Sequence, residues 1–198
     1  MGKSRYIRIK GIGTNARCIA ANGPTKESIN TLVSLKEELA SKLGLRMEIL
    51  SGVNSSIWNM ITAGELPLGI NQVRIGEAIF LGRETAGCTK IKDTFQDCFI
   101  LEAEIIEIKR NKNIPYRIIL AFGLQDVSPK DHVVFDRRLK PRSQSSDHTI
   151  LDITKGEKHT GIKKDFSNFK VGSIISFKLN YFGLLSCMTS PFIEKVFM

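Results

Sequence analysis

The hydrophobic period of this chain changes near residue 85, and few folds accommodate both halves. Up to that point, strand-like segments near 7–12, 46–51 and 72–81 alternate with helical ones. Ile7 and Ile9 alternate with Arg8 and Lys10, then meet Gly11-Ile12-Gly13-Thr14-Asn15, where paired glycines mark a close backbone approach. Ile29, Leu32, Val33, Leu39 and Leu43 recur at helical spacing, with Thr25 as N-cap, Glu27 in the first turn and Gly44 as the stop. A second helix is expected from Ile57 to Ala63, ending at Gly64. This strand–helix–strand–helix–strand order predicts α/β with parallel strands. Beyond residue 85, Phe99, Leu101, Ala103 and Ile105 alternate with Glu102 and Glu104, and the apolar phase then shifts to Ile106 and Ile108, which predicts a bulge. Further strands are expected at 117–122, 148–153, 173–179 and 192–197, interrupted by one helix at about 181–188. The expected units are 1–85, α/β, and 86–198, a mainly antiparallel β-domain, with the boundary in the polar Gly82–Asp97 segment.

No run approaches 18 consecutive apolar residues, so a membrane helix is not expected. The N-terminus has basic residues without the apolar core of a signal peptide, and the expected location is the cytoplasm. Cys18, Cys88, Cys98 and Cys187 form no C-x-x-C pair and are expected to be reduced, partly buried thiols. His132, His148 and His159 lack metal-cluster spacing, so no metal is expected. The net charge of +9 would suit an anionic partner. However, its densest groups, 109–112, 137–142 and 163–164, read as solvated turns without the aromatic platform that single-stranded nucleic acid needs.

The segment Gln72-Val73-Arg74-Ile75-Gly76-Glu77-Ala78-Ile79-Phe80-Leu81-Gly82 reads as a buried strand that places an arginine and a close-approach glycine near its start. A permanently charged planar donor beside backbone N–H groups suits a phosphorylated heteroaromatic ligand. A barrel strand with a surface arginine is the simpler alternative.

Five stretches, "RIKGIGTNARC" (8–18), "EILSGVNSS" (48–56), "LPLGINQVRIGEAIFLGRE" (66–84), "SSDHTILDIT" (145–154) and "LNYFGLLSCMTSPFIEKVF" (179–197), follow one order. In that order the chain resembles the alanine-racemase-like, fold-type III pyridoxal-phosphate enzymes, and in particular the ornithine racemase branch of amino-acid racemases. The resemblance implies a partial TIM-type β/α barrel followed by the family's β-domain. A complete eight-stranded barrel takes roughly 250 residues, and three strands make less than half of one. The family's N-terminal half, with its cofactor-binding lysine, is therefore expected to lie outside these residues.

Carried over position by position, the resemblance implies that Arg74 faces the cofactor's pyridine nitrogen and that Ser55, with Asn54 beside it, binds the phosphate. It further implies phosphate donors in the backbone amides of Gly76 and Glu77, and in Tyr181 from the β-domain. Read without it, Ser55 is a helix cap and Tyr181 a half-buried core residue. Thr14 and Asn15 fall near the cofactor ring by resemblance and read equally as turn formers. Ser146, Asp147 and His148 read as structural, with Asp147 bonding local backbone. Where alanine racemases carry a second-base tyrosine, the loop 121–129 presents Leu124, or Gln125 if the alignment slips by one. Neither moves a proton, and no catalytic residue is assigned. The expected function is the C-terminal portion of an amino-acid racemase using pyridoxal 5'-phosphate, with an amino acid as substrate and either a second copy or a complementary N-terminal half-barrel chain as partner. A non-catalytic remnant or interaction module is the alternative.

Overall fold

The computed structural model describes residues 5–16, 23–111, 114–154 and 169–197. Cys18, His159 and the 163–164 lysine pair lie outside them. The chain forms two compact units, Met1–Gln96 and Asp97–Met198.

In the first unit, strands β1 (Gly11–Gly13), β2 (Ile49–Gly52) and β3 (Gln72–Val73) lie parallel in that order. Gly11 pairs with Ile49 and Gly52 with Val73. Close approach explains both β1 glycines: a Cβ on Gly11 would stand 1.7 Å from the Ile49 carbonyl oxygen, and one on Gly13 2.9 Å from Ser51 Cβ. Helix α1 (Lys26–Leu43) connects β1 to β2. Its start is a reciprocal capping box, Ser28 N–H donating to Thr25 Oγ1 at 3.1 Å and Thr25 N–H to Ser28 Oγ at 3.0 Å. Gly44, at φ 59°, ends it in the left-handed conformation expected of a C-terminal glycine. Ile29, Val53 and Ile57 form the fully buried centre of this unit. Ser55–Ile57 make a 3-10 turn that leads into α2 (Trp58–Thr62).

The 72–81 segment is not one buried strand. It pairs only at Gln72–Val73 and then turns into a short helix, α3 (Glu77–Phe80). The Ser55 hydroxyl accepts the amide protons of Gly76 at 3.1 Å and Ala78 at 3.3 Å, taking them away from any neighbouring strand. Ile79 and Phe80 are consequently exposed rather than buried. The segment near 7–12 is likewise shorter and later than expected, pairing only from Gly11.

The second unit is a six-stranded antiparallel sheet in the order β6-β9-β4-β5-β8-β7. Its strands are β4 (Ile100–Asn111), β5 (Ile114–Leu120), β6 (His132–Val134), β7 (Leu139–Gln144), β8 (Thr149–Ile153) and β9 (Ile174–Leu179). The two end strands, β6 and β7, approach one another, so the sheet nearly closes. Period-two burial holds as read: Leu101, Ala103 and Ile105 on β4 and Ile175, Phe177 and Leu179 on β9 line one core. The β4–β5 register shifts between Ile105 and Glu107, at the phase change of the apolar pattern. Helix α4 (Tyr181–Thr189) follows β9 directly.

Three expectations fail here. No strand forms at 192–197. Lys109 and Arg110 lie within β4, and Lys140, Pro141 and Arg142 on β7, instead of in turns. β7 also went unread: as a sheet-end strand it combines proline, basic side chains and a register shift after Pro141, all of which suppress further pairing and blur a strand pattern. Among the described residues, no helix is long and apolar enough to cross a membrane, and no His/Cys/Asp/Glu group is arranged to hold a metal. The described cysteines are free thiols, but not uniformly part-buried as expected: Cys88 and Cys98 are exposed, in the irregular segment between the strands of the two units, and Cys187 is buried on α4.

His132 sits in the core of the second unit, edge-on to Phe122 and Phe177 with ring centroids 5.2 Å from each. Neither ring nitrogen has a hydrogen-bond partner among the described residues; Gln144 Oε1 lies nearby but is itself unpaired. Burial lowers its pKa, opposed in smaller part by Gln144 and the Asp131 carboxylate. Because the folded pKa is depressed, the unfolded chain binds more protons between that value and about 6.5, and stability rises with pH across this interval. Unfolding free energy is therefore expected to fall as pH drops below about 6.5. Denaturant titrations between pH 7.5 and 5 check this, and His132→Phe should remove the slope.

Candidate functional site

All three parallel strands end on the same edge of the first unit's sheet, where parallel β/α proteins build their sites. Thr14 and Asn15 follow β1, Asn54 and Ser55 follow β2, and Arg74 and Gly76 follow β3. Each β-strand hands its next residues to a loop at this edge, so polar groups far apart in sequence converge. Thr14 N–H reaches Ser51 O at 3.2 Å and Arg74 N–H reaches Val53 O at 3.2 Å, fixing the backbone at both positions.

Asn54, not Ser55, caps the turn after β2, its Oδ1 accepting Ser56 N–H at 2.9 Å. Asn54 Nδ2 donates to Asn15 Oδ1 at 2.9 Å and to Ala16 O at 3.0 Å. Ser55 is 3% exposed. With two amide protons on its oxygen, its own O–H remains to donate. Arg74 Nη2 donates to Thr14 O at 2.8 Å and Asn15 Oδ1 at 3.4 Å, while its Nε and Nη1 have no partner among the described residues. Gly76 has φ −130° and ψ −75°, and a Cβ there would meet no atom within 4 Å. The Gly76 amide is directed at Ser55, while Glu77 opens α3. Two further buried hydroxyls of this unit, Ser51 Oγ and Ser56 Oγ, lack partners among the described residues.

Tyr181 belongs to the second unit. It is the first residue of α4, capped by Asn180, whose Oδ1 accepts Gly183 N–H at 2.9 Å. The residue is 40% exposed and its ring packs edge-on against Phe182, outside the buried core cluster of this unit. The structure thus gathers Asn54, Ser55, Arg74, Gly76 and Glu77 within one unit and places Tyr181 on the other. Leu124 is exposed at the turn after β5, and its N–H donates to Ser145 O at 2.8 Å; Gln125 N–H donates to Ser146 O at 2.9 Å. In the facing β7–β8 turn, Asp147 Oδ1 accepts from His148 Nδ1 at 2.8 Å and from the Ser145 and Ser146 hydroxyls at 3.3 and 3.1 Å. Side chains, more than local backbone, hold this carboxylate, and the His148 bond lowers its pKa.

No family model matches the chain. It is 36% identical over 218 residues to the lysine racemase of Thermotoga maritima, covering all of this chain and 59% of that protein. It is 35% identical over 214 residues to the ornithine racemase of Acetoanaerobium sticklandii, covering 98% of this chain and 58% of that protein. Among solved structures, the alanine racemase of Corynebacterium glutamicum superposes with a TM-score of 0.60 at 17% identity, over 84% of this chain and 45% of that one, which shows a common fold. The architecture, parallel strand–helix units followed by an antiparallel β-domain, is that of the alanine racemase fold. The chain belongs to the alanine-racemase-like family, related to its lysine and ornithine racemases, and fits a C-terminal portion of such a protein. It spans just under three fifths of the length of the curated relatives it matches.

Proposed function

We propose that this chain is the C-terminal portion of a pyridoxal-phosphate-dependent amino-acid racemase, with the covalent lysine and the remaining barrel strands supplied from outside these 198 residues. One observation carries the reading. In a chain related over its full length to two racemases, a guanidinium with unpaired N–H groups, a buried hydroxyl with its proton free and a glycine with room beside it meet at one strand edge.

These residues fit the cofactor. Ser55 would donate to its phosphate, and the space at Gly76 admits a group that any side chain would exclude. Arg74 would donate to the ring nitrogen. Since arginine cannot give up its proton, the nitrogen stays unprotonated, which favours proton exchange at Cα over transamination. The cofactor, when bound, supplies the electron withdrawal that acidifies the Cα–H bond. Tyr181 would reach the phosphate from the β-domain of the assembled protein. The apolar face that Tyr181, Phe182, Leu185 and Met188 expose on α4 supports self-association, and location in the cytoplasm is part of the same reading.

Racemisation also needs a proton carrier on each face of Cα. Leu124, 54% exposed in the loop where the resemblance calls for one, favours a second reading: a remnant that binds cofactor or partner without turnover.

The isolated chain is expected to bind pyridoxal phosphate weakly and without a covalent bond. Borohydride reduction followed by mass spectrometry tests this; a stoichiometric pyridoxyl-lysine adduct would show that a lysine of this chain bonds the cofactor after all. Mixed with the N-terminal portion of the related lysine racemase, the chain should exchange the Cα proton of lysine, ornithine or alanine in deuterated water. No exchange with any complementing half would leave the remnant reading standing.

A further inference from the structure

We propose that Asn15 is a positioning residue that fixes the Arg74 guanidinium and ties it to the Asn54–Ser55 turn, so that the two halves of the site move as one. The proposal rests on reading Arg74 and Ser55 as cofactor contacts. Asn15 Oδ1 receives donors from two separate elements, Asn54 Nδ2 at 2.9 Å and Arg74 Nη2 at 3.4 Å.

The amide orientations follow from chemistry. Arginine only donates, so the Asn15 atom facing it is the oxygen. Asn54 must then offer its nitrogen to that oxygen, and its own Oδ1 is already accepting Ser56 N–H. Each assignment requires the next, and the chain of bonds closes without conflict.

The mechanical consequence is specific. Arg74 is a long, exposed side chain carrying many rotamers. Its backbone is pinned through N–H to Val53 O, and its far end is held by Thr14 O and Asn15 Oδ1. The guanidinium is therefore ordered before any ligand arrives, which removes an ordering cost from binding. All contacts are made through Nη2, so Nε and Nη1 stay available. Asn15 acts through Arg74 and need not touch the ligand.

Two measurements on the 198-residue chain decide it. Without ligand, side-chain nitrogen NMR should show an ordered Arg74 guanidinium that becomes mobile in Asn15→Ala, with the melting curve unchanged, and ordered again in Asn15→Asp, which keeps the acceptor. An Arg74 equally ordered in Asn15→Ala overturns the proposal. With pyridoxal phosphate as probe, Asn15→Ala should weaken binding roughly 3- to 10-fold, while inorganic phosphate binds as before. In an Arg74→Ala background the same substitution should have no further effect. A full additional loss there would mean that Asn15 meets the ligand itself, and the positioning role falls. If the unaltered chain takes up no pyridoxal phosphate, the cofactor reading fails, and the ligand-free measurement alone judges the brace.

Discussion

Arg74→Ala in the complemented enzyme is expected to lower Cα-proton exchange roughly 10- to 100-fold, the equivalent of losing one charge-assisted hydrogen bond. The fold should survive the change, because Arg74 is exposed and its backbone bond to Val53 O is independent of the side chain. Arg74→Lys keeps the charge but cannot reach two acceptors from one planar group, so it should recover little. Ser55→Ala is expected to behave differently. The Ser55 oxygen holds the amides of Gly76 and Ala78, so its loss leaves two N–H groups without their acceptor and loosens the start of α3. Cofactor affinity should fall with some loss of stability, and turnover of the loaded enzyme should fall less than in Arg74→Ala. Exchange followed by NMR in deuterated water, with the cofactor saturating, separates the two. An Arg74→Ala assembly exchanging within twofold of the original would remove arginine from the chemistry.

Helix α1 was legible because its signals are local: Thr25, the spacing of Ile29 and Leu32, and Gly44 each act within a few residues. The strands β4 and β9 were legible for the same reason, since one buried face imposes strict alternation. Even the bulge near Ile106 announced itself as a phase shift. The 72–81 segment misled because Val73, Ile75, Ile79 and Phe80 carry strand propensity, which the Ser55 hydroxyl overrides from 21 residues away. Asn54 and Ser55 are both competent caps, and only the structure distinguishes the residue that caps from the one that gathers amides. The Asn15–Arg74 contact spans 59 positions and leaves no periodic trace. The approach of Leu124 and Gln125 to the 145–148 turn was invisible for the same reason: it is long-range and made by backbone.

Two identical substitutions should have opposite consequences, and together they test whether folding and cofactor binding reside in different glycines. A Cβ on Gly123 would stand 2.4 Å from Ser146 O, Ser146 C and Asp147 N, all backbone atoms. The turn cannot retreat: Gly123 N–H is held by the buried Asp126 carboxylate at 3.0 Å, and Asp126 is held in turn by Ser190 Oγ at 3.1 Å. On the other side, Leu124 and Gln125 donate to Ser145 and Ser146. Gly123→Ala must therefore break one of these bonds or push the β7–β8 turn away, at about 3 kcal/mol or more, the upper range of overpacking. For a unit of this size that corresponds to roughly 12–24 °C in melting temperature. Gly76→Ala has no such neighbour, and its φ of −130° lies outside the left-handed region that favours glycine. Its melting temperature should match the original within a few degrees. Its methyl, however, would project into the space assigned to the cofactor, and pyridoxal phosphate binding should drop while folding does not. Calorimetry on both variants, with cofactor titration on Gly76→Ala, reads the two effects separately. A Gly123→Ala protein as stable as the original would mean that the two turns are not interlocked in solution. A Gly76→Ala protein that binds pyridoxal phosphate unchanged would mean that the ligand does not approach this glycine.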